Sequence, residues 1–214
     1  MKFILKNPKN EPKEVAGKRL TPGSTFDDLP KEPLRVALLK EQSFICAYCM
    51  QRIKNDWKST KIEHWAPRNE ANEKDYMNLL AVCKGNEGAP NGEQHCDTSK
   101  GNQPITISPL NSNCEQLIRF DPGGHIYSND PAIDDELKNI LKLDLQYLVE
   151  ERMKLMDFVK NEIQKAAKNS PASKIKKAGL TNMLKDWQTP KKGKFEPFCQ
   201  VAIAYIQKKL ARLP

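Results

Sequence analysis

Cys46-Ala47-Tyr48-Cys49 places two thiols three residues apart, and Cys83 and Cys96 supply two more. Between the pairs stands Ile62-Glu63-His64-Trp65, an acid and an imidazole side by side, and Asp97 follows Cys96 directly. Four thiolates delivered as two pairs are what tetrahedral zinc requires. The second pair is looser, because twelve residues separate Cys83 from Cys96, so it must converge by folding rather than through a tight turn. Free core cysteines and a redox CxxC are the competing readings, and the redox motif calls for a thioredoxin-like βαβ setting that does not surround Cys46. Cys114 and Cys199 read as small buried hydrophobes.

Hydrolysis of a phosphodiester needs a water relieved of its proton and a cation that absorbs charge on the phosphate and the departing oxygen. Histidine titrates near neutrality, which makes His64 a candidate general base. Strand alternation turns Glu63 and His64 to opposite faces, so adjacency alone does not make a shared site. Asp97 is a second carboxylate that folding would bring beside Glu63, and two carboxylates with waters and a substrate phosphate suit Mg²⁺. Lys100 and His95 are candidate substrate contacts, Lys100 by meeting a phosphate. His95 has the further option of replacing a cysteine on zinc. His125, at a hairpin tip, is a weaker candidate of the same kind.

The elements that must position these groups divide the chain in three. Residues 1–44 form an N-terminal flank, with an extended Phe3-Ile4-Leu5 and one helix that Asp27 and Asp28 cap and that runs through Pro30 and Pro33 to Leu39. Residues 45–128 form the zinc-stapled core: strands at Lys61 to Trp65 and Leu79 to Val82, a short helix starting within His95 to Asn102, and a hairpin from Phe120 to Tyr127. Residues 129–214 are helical. Leu137, Leu141, Leu145, Leu148, Met156, Val159 and Ile163 predict a helix of about thirty residues ended by Pro171. Further helices are expected from Ala172 to Trp187 and from Pro197 to Leu210, the three packing as a bundle, with a mobile loop at Lys191-Lys192-Gly193-Lys194. The fold class expected is α+β.

Of 214 residues 38% are hydrophobic, and no apolar run reaches membrane-spanning length. The N-terminal residues lack the apolar core and cleavage site of a signal peptide, so a cytoplasmic location is expected, where six cysteines favour metal ligation over disulfides. Net charge is +8, distributed as +4 over residues 1–40, −5 over 41–135 and +9 over 136–214. An acidic core suits a cation site, and basic flanks suit a polyanion held across it. For any single lysine, a solvated helix face remains the competing reading.

Glu63-His64, Asn78-Leu79-Leu80 and Cys96-Asp97-Thr98-Ser99-Lys100-Gly101, interleaved with the four cysteines, resemble the HNH (ββα-metal) endonuclease family. The resemblance implies that His64 activates water, that Glu63 and Asp97 hold the catalytic Mg²⁺, and that Asn78 orients the loop joining the strands. It implies structural zinc on Cys46, Cys49, Cys83 and Cys96. More narrowly, Ile62 to Pro67, His95-Cys96-Asp97 and the Phe120 to Ile126 hairpin are similar to PtuB, the nuclease subunit group of Septu and of certain retron antiviral defence systems, with a weaker echo at Phe195-Glu196-Pro197-Phe198-Cys199. The match covers residues 44–127. It departs from the family pattern in the long Cys83 to Cys96 spacing and in Asp97, where histidine or asparagine is commoner. The resemblance implies nucleic acid as substrate, DNA by default and RNA as the alternative. It also implies a PtuA-like ATPase partner docking on the C-terminal helices and, in retron versions, a reverse transcriptase with its RNA-linked DNA. Two other classes stay open: a zinc-stabilised nucleic-acid-binding module without catalysis, and a subunit that only docks a partner.

Overall fold

The computed structural model describes residues 1–168 and 173–213. Two short antiparallel sheets and eight helices in an α+β arrangement account for the described residues. Phe3-Ile4-Leu5 pairs with no strand; Ile4 N donates to Pro109 O at 2.8 Å and anchors the N-terminal residues to the core. Helix α1, Lys13–Arg19, is followed by a 3-10 turn, Phe26–Asp28, and then by α2, Lys31–Glu41. The expected capping by Asp27 and Asp28 is corrected here. Asp28 closes a capping box with Thr25 on the 3-10 turn, and the chain extends at Leu29 before α2 begins. Proline at position 30 disfavours helical backbone at the residue before it, whereas Pro33 falls in the first turn of α2, where a missing N–H costs nothing.

Strand β1, Thr60–His64, pairs antiparallel with β2, Leu79–Cys83, in the register Thr60↔Cys83 to His64↔Leu79. All five residues of β2 are buried. At Ala81 its outer edge meets a side-chain amide: Gln42 Nε2 donates to Ala81 O and Ala81 N donates to Gln42 Oε1, both at 2.7 Å. The primary amide thus takes the place of a neighbouring strand for a buried edge that could not be left unpaired. A single helical turn, α3, Asp97–Lys100, follows Cys96, and a second, α4, spans Cys114–Leu117.

Strands β3, Arg119–Phe120, and β4, Ile126–Tyr127, form the expected hairpin. Gly124 in its turn has φ +85°, and a Cβ there would stand 2.5 Å from Val149 O. Glycine is what lets the hairpin lie against the helix that carries Val149.

Helix α5, Pro131–Asp135, capped by Asp130, runs into a π turn, Glu136–Ile140, and α6 spans Gln146–Lys168. The single helix expected from Leu137 is therefore two elements with a break. Lys142 adopts φ +46°, Leu143 N donates to Leu137 O at 2.8 Å, and Asp144 Oδ1 accepts from Ile126 N of the hairpin at 3.0 Å. Leu137, Leu141, Leu143 and Leu148 are all buried in the same core, so their spacing reports which face is apolar and is blind to the reversal between them. Pro171 and Ala172 lie outside the described residues. Helices α7, Ser173–Gln188, and α8, Cys199–Leu210, complete the bundle, with Val159, Leu180, Ala202 and Ile206 at its centre. Lys191 to Lys194 is a closed turn rather than a loose loop, since Lys191 and Lys194 exchange both backbone hydrogen bonds. No helix of the described residues is long and apolar enough to cross a membrane.

One buried cluster runs through all three sequence segments, from Met1 and Leu34 through Leu79 and Leu80 to Leu137 and Ile203. Arg152 is among the largest fully buried side chains of the described residues: it donates to Gly124 O, to Leu143 O at 2.9 Å and to Asp144 Oδ1 at 3.4 Å, tying α6 to both the hairpin and the break before it. Replacing Arg152 with methionine keeps much of the stem but strands those acceptors, which is expected to destabilise the chain by about 3 kcal/mol. A urea-denaturation midpoint equal to that of the unsubstituted chain would show that these bonds carry no weight.

Candidate metal and acid-histidine site

The four cysteines converge. One ligand atom each from Cys46, Cys49, Cys83 and Cys96 lies within 4.8 Å of all the others, and all four residues are buried. Tetrahedral zinc with bonds of about 2.3 Å sets sulfurs about 3.8 Å apart. Cys46 Sγ is 3.8 Å from Cys96 Sγ and Cys49 Sγ is 3.7 Å from Cys83 Sγ, so the cluster could hold a zinc ion. Burial raises the Cys49 and Cys96 thiols well above their ordinary range. Burial acts on Cys46 in the same direction, but hydrogen bonds from the three neighbouring thiols outweigh it and hold that group well below. Cys114 and Cys199 are buried outside this cluster.

Each cysteine is delivered by a short-range device. Ile45 bridges Arg52, while Met50 N donates to Cys46 O at 3.0 Å and Met50 takes φ +65°, which folds Cys46 to Cys49 into a knuckle. Cys83 ends β2. The long spacing to Cys96 is closed at its base, where His95 N donates to Gly85 O at 3.0 Å and Thr98 Oγ1 donates to Lys84 O at 2.7 Å. Gly85 has φ +56°, and a Cβ there would lie 2.0 Å from His95 O. The Phe195 to Cys199 stretch docks on the first knuckle through Phe195 N to Ser43 O at 3.0 Å and Phe198 N to Met50 O at 3.1 Å.

His95 is not open to a substrate, which corrects its assignment as a contact. Its ring is 1% exposed, Nδ1 lies 3.1 Å from Cys96 Sγ, and Nε2 meets the Tyr147 hydroxyl of α6. With zinc on the cluster Cys96 would be a thiolate, which only accepts, so Nδ1 would carry the proton and Nε2 would accept from the phenol. Burial lowers the His95 pKa and raises that of Tyr147, keeping both neutral. The pair therefore buttresses Cys96 from outside the four-cysteine cluster.

Folding brings Glu63 of β1 and Asp97 of α3 near enough for Asp97 to perturb the Glu63 carboxyl. Burial first, and Asp97 second, push the Glu63 pKa up to about 8, with Lys100 opposing. Lys100 is also not open to a phosphate: 1% exposed, its Nζ is 2.8 Å from Glu63 Oε1 and donates to His64 O at 3.1 Å. Lys61, on the same face of β1 as Glu63, pairs with Asp97 Oδ2 at 3.0 Å. Tyr48 donates its hydroxyl to Glu63 Oε1 at 2.9 Å. Neither Lys61 nor Tyr48 carries a sequence signal of its role, except that Tyr48 sits inside the first cysteine pair.

His64, the last residue of β1, faces the other way. Its ring meets Phe26 edge-on at 4.6 Å and Nε2 lies 2.8 Å from Glu73 O. A carbonyl only accepts, so Nε2 carries the proton and the lone pair stays on Nδ1. Burial depresses the His64 pKa and keeps the ring neutral at pH 7. Asn78 accepts from Ala66 N at 2.8 Å and donates to Ala66 O at 3.1 Å, pinning the loop between β1 and β2 just beyond His64. His125 is exposed at its hairpin and engaged with Asp144 Oδ2 at 2.9 Å.

No protein-family model matches the chain, and no curated protein matches it. The chemistry of these side chains carries the functional reading.

Cys49→Ser is expected to lose the bound zinc and more than about 4 kcal/mol of stability together, because such metal binding is coupled to folding. Retained zinc content with an unchanged melting temperature would contradict the knuckle. Gly85→Ala is expected to weaken zinc retention against a chelator and to destabilise by more than about 1 kcal/mol. Gly88→Ala, also at positive φ but with nothing within 4 Å of its Cβ, is the control that isolates the clash.

Proposed function

We propose that the chain is a metal-dependent endonuclease of the HNH (ββα-metal) type, with β1, β2 and α3 as the core and Cys46, Cys49, Cys83 and Cys96 holding structural zinc. The observation that carries this reading is that Glu63 and Asp97, each ion-paired to a lysine, lie near enough for Asp97 to raise the Glu63 pKa, while His64, on the opposite face of β1, commits its Nε2 proton to a backbone carbonyl. Two carboxyls pressed together in a buried place repel unless a proton or a cation intervenes, and their oxygens are the hard donors that Mg²⁺ takes alongside its waters. The donor set therefore fits Mg²⁺ on Glu63 and Asp97.

When bound, the divalent ion supplies positive charge to the phosphate oxygen and the leaving oxygen of a phosphodiester. Glu73 O fixes the tautomer of His64, so Nδ1 is the atom that takes the proton from the attacking water. Asn78 holds Ala66 and with it the loop that begins at the catalytic histidine. Glu63 and Asp97 position the ion, while Lys100 and Lys61 balance part of their charge from the far side.

A cleft of about 590 Å³ between the β3–β4 hairpin, α6 and α8 supports a polyanionic substrate. Its walls include Arg119, Lys208, Lys209 and Arg212, none of which pairs with a carboxylate among the described residues, beside Phe120 and Tyr205. Unpaired cations next to aromatic rings suit phosphates and bases. DNA is the substrate proposed first. The similarity to the PtuB group extends the proposal to an antiphage complex with a PtuA-like ATPase and, in a retron setting, a reverse transcriptase with its RNA-linked DNA.

The test incubates the wild type and His64→Ala with plasmid DNA and total RNA, in Mg²⁺ and in EDTA, with and without such an ATPase. His64→Ala is expected to cut at least about 10²-fold more slowly while keeping its zinc and its fold. Equal cleavage by the two proteins, or cleavage that survives EDTA, contradicts the assignment.

A further inference from the structure

Tyr48 is the residue on which the sulfur cluster and the acid pair meet. It stands between Cys46 and Cys49, so its backbone is set by the knuckle, and its side chain is fully buried. Its hydroxyl donates to Glu63 Oε1, the same oxygen that carries Lys100 Nζ at 2.8 Å. Two donors therefore converge on one oxygen of Glu63. Asp97 is joined to the cluster more directly, being the next residue after Cys96. Asp97 is thus one peptide bond from a cysteine of the cluster, and Glu63 is one hydrogen bond and one peptide bond from another, through Tyr48 to Cys49.

We infer that Tyr48 is a positioning residue through which occupancy of the four-cysteine site sets the affinity of the Glu63 and Asp97 pair for a divalent cation. The inference rests on the nuclease reading for the existence of that cation. It assigns the hydroxyl a task separate from that of the ring: the ring fills the core, and the hydroxyl fixes the rotamer of a carboxylate that burial would otherwise leave to its neighbours. A zinc ion that closes the knuckle holds the phenol in place, and an open knuckle lets it go. By reciprocity, a cation on the acids must tighten zinc retention by the same factor that zinc tightens the cation.

The experiment titrates Mn²⁺ into zinc-loaded wild type, Glu63→Gln and Tyr48→Phe, reading free Mn²⁺ by electron paramagnetic resonance, with zinc content and melting temperature measured on each. Wild type is expected to bind and Glu63→Gln to lose that binding. Tyr48→Phe is expected to keep its zinc and its melting temperature within a few degrees, yet to bind Mn²⁺ about 10- to 100-fold more weakly, the usual effect of removing an outer partner of a metal ligand. If wild type and Glu63→Gln titrate alike, the cation site itself is absent, and the nuclease reading falls together with this inference. If Tyr48→Phe, fully zinc-loaded, binds Mn²⁺ as tightly as wild type, the inference is overturned and the nuclease reading stands. Should Tyr48→Phe fail to fold, the wild type decides alone: zinc retention against a zinc-selective nitrogen chelator must strengthen with saturating Mg²⁺, and an unchanged retention overturns the coupling.

Discussion

Four buried sulfurs within 4.8 Å of one another are the constraint on which the rest of the structure depends. A cluster this tight could hold a cation that replaces the thiol protons, and ion binding would then become folding energy. Such binding supplies roughly 10 to 16 kcal/mol in small zinc modules, as much as the whole net stability of an ordinary domain. The cluster also sits at four junctions. Cys46 and Cys49 form the knuckle on which the Phe195 to Cys199 stretch docks, Cys83 ends β2, and Cys96 begins α3 with Leu141 O accepting its N–H at 2.8 Å. Two-residue hairpins and one-turn helices cannot hold their own geometry, and here they do not have to.

The buried charges of the chain differ in how they are satisfied. Glu136 is buried but satisfied, its two oxygens taking Thr106 N, Thr106 Oγ1 and Ile107 N at 2.7 to 2.9 Å. Arg152 is satisfied in the same way by two carbonyls and Asp144. Glu63 is different: besides Tyr48 and Lys100 it faces a second carboxyl, which with burial pushes its pKa up to about 8. Lys100 and Lys61 offset part of this charge, and a carboxyl perturbed in this way is the kind of group that the functional proposal draws on.

Much of this was legible in the sequence wherever chemistry and short-range pattern coincide. The Cys46 and Cys49 spacing, the strand at Glu63 and His64, the buried run Leu79 to Val82 and the hairpin around Gly123 and Gly124 depend on neighbours within a few residues. The helix boundaries failed for a physical reason. Leucines at helical spacing from Leu137 to Leu148 mark an apolar face, and a left-handed residue at Lys142 reverses the chain without disturbing that face. Asp28 caps a turn rather than α2 because Pro30 intervenes. The partners of His95, Glu63 and Asp97 were hidden because Tyr147, Tyr48 and Lys61 are common residues that acquire their roles only through contacts 52, 15 and 36 positions away in the chain.

The most direct test of the account is an anomalous diffraction measurement on crystals soaked in Mn²⁺, with data collected at the zinc and the manganese absorption edges. The account predicts one zinc peak equidistant from the four sulfurs and one manganese peak between the carboxylates of Glu63 and Asp97. Zinc density without any manganese at those two acids would leave a metal-stapled fold and contradict the proposed chemistry.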